Sequence, residues 1–255
     1  MPLLPGAEPL SRTGGPTGVL LCHGFTGSPH SMRPWAEHLA DAGLTVELPL
    51  LPGHGTSWQE MNLTGSAQWL AAVEAALLDL RDRCDEVFVM GMSMGGCLAL
   101  RLAQLHPGAV AGAVLVNPSL ALETPLLLAA PLLKHVLPST KGLTDDIKRP
   151  GVREGGYDRV PTAAAATLPA LWRATRRGMA SVQAPVLVYR SPEDHVIGPQ
   201  SLRILTSRAV NAEVTVRSLD NSYHVATLDN DAAVIFEGSL GFVREYGRSG
   251  EGRQR

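Results

Sequence analysis

A serine between two glycines, a histidine late in the chain and a pair of carboxylates shortly before that histidine are the residues whose types suit nucleophilic chemistry. The serine is Ser93 in "VFVMGMSMGG" (87–96), directly after an apolar run that reads as a buried strand. A Gly-x-Ser-x-Gly spacing at a strand-to-helix junction holds the serine in a sharp, strained turn that lifts Oγ above the sheet, while the glycines keep neighbouring chain from clashing. The helix that starts there aims the Met94 N–H at an anion beside Ser93, and Gly96 allows close helix packing. The pentapeptide alone also describes a glycine-rich turn with an incidental serine, so the reading requires partners.

A hydroxyl is a poor nucleophile at neutral pH, so Ser93 needs a base, an acid to orient that base and donors for an oxyanion. Among eight histidines, His224 in "DNSYHVATLD" follows the last expected strand. In a doubly wound sheet its loop opens at the same carboxyl edge as that of Ser93. His195 is the rival base, and its place beside Asp194 turns it elsewhere. His23, His30, His38, His54, His106 and His135 are read as structural or solvated. "SPEDHV" offers Glu193 and Asp194; neighbours on an extended loop face different ways, so one of them serves, and Asp194 is preferred. Asp220 and Asp229 flank His224 and read as turn formers. "HGFTG" (23–27) leaves the first strand toward the same edge, where the Phe25 N–H can join that of Met94 as a second oxyanion donor.

These residues need a scaffold that brings distant loops to one rim, and the hydrophobic pattern supplies it. Strand-like runs at 18–24, 86–93, 110–117, 185–191 and 213–219, with a strand and loop at 44–55, alternate with helical text. In "SAQWLAAVEAALLDLRDR" (66–83), for example, Trp69, Val73, Leu77 and Leu80 share one helical face. The alternation implies an α/β fold, a mostly parallel sheet with helices on both faces. From 119 to 177 the rhythm breaks into helical text, "ETPLLLAAPLLKHVL" and "PTAAAATLPALWRATRR", around a polar glycine-containing stretch with no convincing strand. The expected organisation is a core of 1–118 and 178–246, a helical cap insertion at 119–177 and a disordered tail at 247–255.

With 255 residues, 45% of them hydrophobic, the chain can bury a core without staples. A net charge of −2 with both signs scattered argues against a nucleic-acid partner and for a small ligand. Cys22, Cys84 and Cys97 form no metal or redox pair and suit a reducing compartment. No stretch approaches the ~20 apolar residues of a membrane span, and "MPLLPGAEPL" does not read as a leader, so a cytoplasmic protein is expected.

Five segments in order, "HGFTGSPHSMRPWAEHLADAG", "LPGHGT", "GMSMGG", "EDHVI" and "NSYHVATLD", resemble the α/β-hydrolase superfamily, and within it the bacterial monoacylglycerol lipases and carboxylesterases. The resemblance runs from Val19 to Tyr246. It implies a Ser93–Asp194–His224 triad, Phe25 and Met94 as oxyanion donors, no cofactor and no metal. It also implies a small cap that governs access to an acyl pocket; the "LLLAAPLL" stretch departs from the family and reads either as ordinary packing onto the core or as an apolar entrance that touches lipid aggregates transiently or lines an acyl tunnel. In the cap, "DDIKRPGVRE" and "YDRVPT" resemble the family, and Leu143 and Glu154 fall beside the place of a glycerol head group, with a solvated surface position as the other reading of Glu154. The implied reaction is hydrolysis of monoacylglycerols, with a short-chain ester or an acyl thioester as the alternative substrate. A small-molecule receptor on the same scaffold is the non-enzymatic alternative, disfavoured because no triad or oxyanion position is missing.

Overall fold

In the computed structural model, which describes residues 2–121, 136–142 and 145–247, the apolar runs form the centre of one sheet. Strands β2 (Thr17–Cys22) and β5 (Gly112–Val116) are buried along their whole length, and β4 (Glu86–Met92) from its second residue on. That pattern fits strands covered on both faces. Successive side chains go to opposite layers: Leu20, Cys22, Val87 and Val89 enter one core cluster, and Val19, Leu21, Phe88 and Met90 the other. With β1 (Leu10–Arg12), β3 (Thr45–Leu48), β8 (Val186–Arg190) and β9 (Val214–Ser218), the sheet runs β1-β3-β2-β4-β5-β8-β9. All neighbours are parallel except the β1–β3 edge pair.

The helices cover both faces. On one lie α3 (Ser66–Arg83) and α4 (Met94–Leu105); on the other lie α1 (Arg33–Asp41) and the closing helix, Ala232–Tyr246. The face of α3 read from its spacing is the buried one, with Trp69, Val73, Leu77 and Leu80 all inaccessible. Each large side chain so buried contributes about 1.5–3 kcal/mol relative to exposure.

Two features differ from the sequence reading. β1 is a three-residue edge strand with one buried residue, too short for any periodicity to mark. The 119–177 stretch does contain strands: β6 (Ser139–Lys141) and β7 (Arg159–Pro161) pair antiparallel, Thr140 opposite Val160. Their partners lie twenty residues apart, so no local pattern joins them. The alanine run forms a short helix, Thr162–Ala165, followed by a longer one, Leu168–Arg177. The latter buries Leu171 and Trp172 in the cluster that holds α3 and α4. Leu143, His135, most of "ETPLLLAAPLLKHVL" and the tail from 248 lie outside the described residues.

Candidate active site

Ser93 sits between β4 and α4 at φ 55° and ψ −120°, a backbone state costly for any residue with a side chain, by about 1–3 kcal/mol. Its neighbours explain how the turn closes. A Cβ on Gly95 would stand 1.9 Å from the Cys22 carbonyl oxygen, and one on Gly91 2.3 Å from the Gly95 carbonyl oxygen. Both approaches are to backbone, so only glycine permits β2, β4 and α4 to meet here. Gly96 lies instead against Pro118, whose Cβ is 3.0 Å from the place of a Gly96 Cβ. The Ser93 N–H donates to the Val116 carbonyl (3.0 Å), which ties the turn to β5.

His224 and Asp194 arrive from the loops after β9 and β8. The His224 Nδ1–H donates to Asp194 Oδ2 at 2.9 Å, and both side chains are buried. This leaves Nε2 as the ring's free base position. The other carboxylate oxygen, Oδ1, accepts the N–H groups of Val196 (2.9 Å) and Ile197 (2.8 Å), while Arg190 donates to Oδ2 at 2.6 Å. Burial alone would raise the Asp194 carboxyl; the His224 ring, the Ile197 N–H and the Arg190 guanidinium outweigh it and hold the group below its ordinary value. For His224, burial pulls the ring down, but the charge and hydrogen bond of Asp194, with Glu154 and Asp146 behind it, carry it above its ordinary 6.5. Glu193 points away and pairs with Lys148 at 3.0 Å.

The "HGFTG" loop is held by its own histidine. The Leu51 N–H donates to His23 Nε2 (3.2 Å), so the ring's proton is on Nδ1, which donates to the Gly24 carbonyl (3.0 Å). Burial keeps this ring neutral, its pKa lowered to about 4. Phe25 and Met94 border the same cavity as Ser93. As the first residue of α4, Met94 has an N–H with no intrahelical acceptor. Thr26 takes a positive φ of 62°, and its carbonyl accepts the Tyr157 N–H.

Ser93, His224, Phe25, Met94 and Glu154 line one cavity of about 230 Å³, whose apolar wall includes Leu168, Trp172 and Ile197. A larger cleft of about 330 Å³ opens at the opposite, amino edge of the sheet beside Asp85 and Gly108, and holds none of these groups. The Glu154 carboxylate lies over Gly27, where a Cβ would stand 2.8 Å from Oε1. Burial pushes it up to about 7, with Asp145 adding to the rise and His224 opposing it. Among the described residues no group of three or more His, Cys, Asp or Glu side chains could hold a metal ion.

Sequence reasoning missed three supports. Asn117, fully buried with φ 44°, accepts the Ser191 N–H on Oδ1 (2.9 Å) and donates from Nδ2 to the His224 carbonyl (2.9 Å), so it ties both loops to the end of β5. Asp229 accepts the N–H groups of Tyr223, Lys148 and Arg149. Tyr157 receives the Thr56 N–H on its hydroxyl and donates to the Gly53 carbonyl. Asn117 directly after an apolar strand was the one legible signal; the other two depend on pairings across 80 or more residues. His195 pairs with Asp146 at 2.7 Å, and its side chain is 55% exposed.

A family model described as "Serine aminopeptidase, S33" (Hydrolase_4) matches residues 17–231 of this α/β fold. The chain belongs to this family. Relatives and structural neighbours span nearly all of the chain. The chain is 43% identical over 246 residues to the thermostable monoacylglycerol lipase of Bacillus sp. (strain H-257), covering 96% of this chain and 97% of the relative. It is 23% identical to the carboxylesterase of Bacillus subtilis (strain 168), covering 93% and 96%. Among solved structures, one from work on LipS and LipT, two metagenome-derived lipolytic enzymes, superposes with a TM-score of 0.92 at 41% identity, covering 96% of this chain and all of the other. The monoacylglycerol lipase of Paleococcus ferrophilus, at 19% identity and a TM-score of 0.79 over 97% of this chain, shares the α/β-hydrolase fold. Among the described residues no helix is long and apolar enough to cross a membrane.

Proposed function

We propose that this Hydrolase_4 member is a monoacylglycerol lipase, which releases a fatty acid and glycerol through an acyl-Ser93 intermediate. The observation that carries the reading is that His224, hydrogen-bonded to Asp194, lines the same cavity as Ser93 in its strained turn. The 43% identity to a monoacylglycerol lipase supports the choice of substrate.

In this mechanism His224 Nε2 takes the Ser93 hydroxyl proton as Oγ attacks the ester carbonyl, and the Phe25 and Met94 N–H groups receive the oxyanion. The imidazolium, stabilised by Asp194, gives its proton to the departing glycerol oxygen. Water then enters, loses a proton to His224 and releases the acyl group, returning Ser93 to its hydroxyl form. The acyl chain lies along the Leu168, Trp172 and Ile197 wall, and Glu154 accepts hydrogen bonds from glycerol hydroxyls. Residues 119–177 act as the cap, which controls entry and touches lipid aggregates transiently.

The test is a hydrolysis panel of monoacylglycerols, diacylglycerols, short aryl esters, acyl thioesters and an aminoacyl anilide, run on the native chain and on Ser93→Ala. Preference for the first class, lost in the variant, is the expected result. Preference for short aryl esters or thioesters would replace the lipase reading with that of a general esterase or thioesterase, and turnover of the anilide alone with that of a peptidase.

A further inference from the structure

Asp146 lies in the 119–177 stretch, yet its carboxylate holds groups from both loops of the Asp194–His224 pair. Oδ2 accepts the N–H of His224 (3.1 Å) and the N–H of His195 (3.2 Å), while Oδ1 accepts the His195 Nδ1–H at 2.7 Å. The Asp146 carbonyl takes the Val225 N–H at 3.1 Å. The side chain is 9% exposed, and the His195 ring packs edge-on against Tyr223 with centroids 4.6 Å apart. Asn117 joins the two loops from the sheet side, and Asp146 joins them from the insertion side.

We infer that Asp146 is a positioning residue for the reaction, fixing the register of the acid and base loops and placing a negative charge beside the imidazolium that forms on His224. The inference rests on the proposed ester hydrolysis at Ser93. Three donors converge on one carboxylate: the backbone N–H of the base His224, the backbone N–H of His195 next to the acid, and the His195 ring, which packs on the base loop. A shift of the insertion therefore moves the acid and the base relative to each other, and misplacement by ~1 Å costs ~10²-fold in rate. The other acids whose charge acts on His224 are Asp194, with its partner Arg190, and Glu154, beside Asp145; Lys141 and His195 line the same cavity. Of these acids, Asp146 is the one that also accepts a hydrogen bond from the His224 backbone. Its charge favours protonated His224, so removing it lowers the ring's proton affinity and moves the acid limb of kcat/KM to lower pH.

The test compares Asp146→Asn and Asp146→Glu with the native chain on a soluble monoacylglycerol, with thermal unfolding in parallel and Ser93→Ala as control. For Asp146→Asn the expected result is kcat lower by ~10-fold, KM within about twofold, and an acid limb lower by about half a pH unit to one unit. Asp146→Glu keeps the charge on a longer stem, so kcat is expected to fall while the acid limb stays at the native pH. Native kcat and acid limb in a folded Asp146→Asn overturn the inference, as does a loss confined to KM. If Asp146→Asn does not fold, native kcat in Asp146→Glu overturns it. Undiminished turnover in Ser93→Ala would instead strike the ester-hydrolysis reading.

Discussion

Gly95→Ala adds a single methyl group at the point where β2, α4 and the "HGFTG" loop converge. That methyl would stand 1.9 Å from the Cys22 carbonyl oxygen, 2.5 Å from its carbon and 2.7 Å from the His23 carbonyl oxygen. These are backbone atoms at the end of central strand β2 and the start of the loop after it, so no rotamer change relieves the contact, and the two elements must part by about 1 Å or more to reach van der Waals separation. Overpacking of this kind costs about 1–3 kcal/mol, and more where backbone must move. At about 2–4 °C per kcal/mol for a chain of this size, Tm is expected to fall by roughly 5–10 °C. The same displacement separates Phe25 and Met94, the two proposed oxyanion donors, because one follows β2 and the other opens α4. Loss of one such donor lowers kcat by ~10²–10³-fold. The assay is kcat and KM on a monoacylglycerol beside a thermal melt. Gly95→Ala with native kcat and native Tm would refute the packing argument and the oxyanion assignment together.

Three further outcomes follow from the same geometry. Ser93→Gly and Ser93→Ala should both lower kcat by ~10⁵–10⁶-fold, and the glycine variant should melt about 2–4 °C above the alanine one, since glycine relieves the φ 55° strain by more than it gains in unfolded-state freedom; equal melting points would dismiss the strain. The base must be neutral to act and the folded protein raises its proton affinity, so the rate should fall as pH drops through a midpoint above 6.5; a rate flat to pH 5 would exclude His224 as base. Asn117→Ala orphans the buried Ser191 N–H and His224 carbonyl at roughly 1–3 kcal/mol each, so Tm should fall by ~5–10 °C and kcat by ~10-fold, and a native melt would show that the loops do not depend on this side chain.

The parts of this protein that were legible in sequence are those whose cause is local. A buried strand is an apolar run, α3 is a spacing of Trp69, Val73, Leu77 and Leu80, and the turn at Ser93 is a glycine pattern placed between them. Because a parallel sheet sends every strand-end loop to one edge, the order of the elements alone brought Ser93, Asp194 and His224 toward a common rim. The sequence offered both Asp194 and Glu193 and favoured Asp194; what holds Asp194 against His224 is a set of tertiary contacts, two backbone N–H groups and Arg190, while Lys148 draws Glu193 away.

What tertiary structure alone decided is the support around those residues. Asp146, Asp229 and Tyr157 are ordinary polar residues outside any periodic run, and each makes at least one contact across 78 or more residues. The β6–β7 pair has the same origin, since hydrogen bonds between distant segments leave no mark on either segment's own sequence. Local sterics and hydrophobic period determine the elements and the turn at Ser93; which buried donor finds which acceptor is fixed only when the folded chain brings them within about three ångströms of each other.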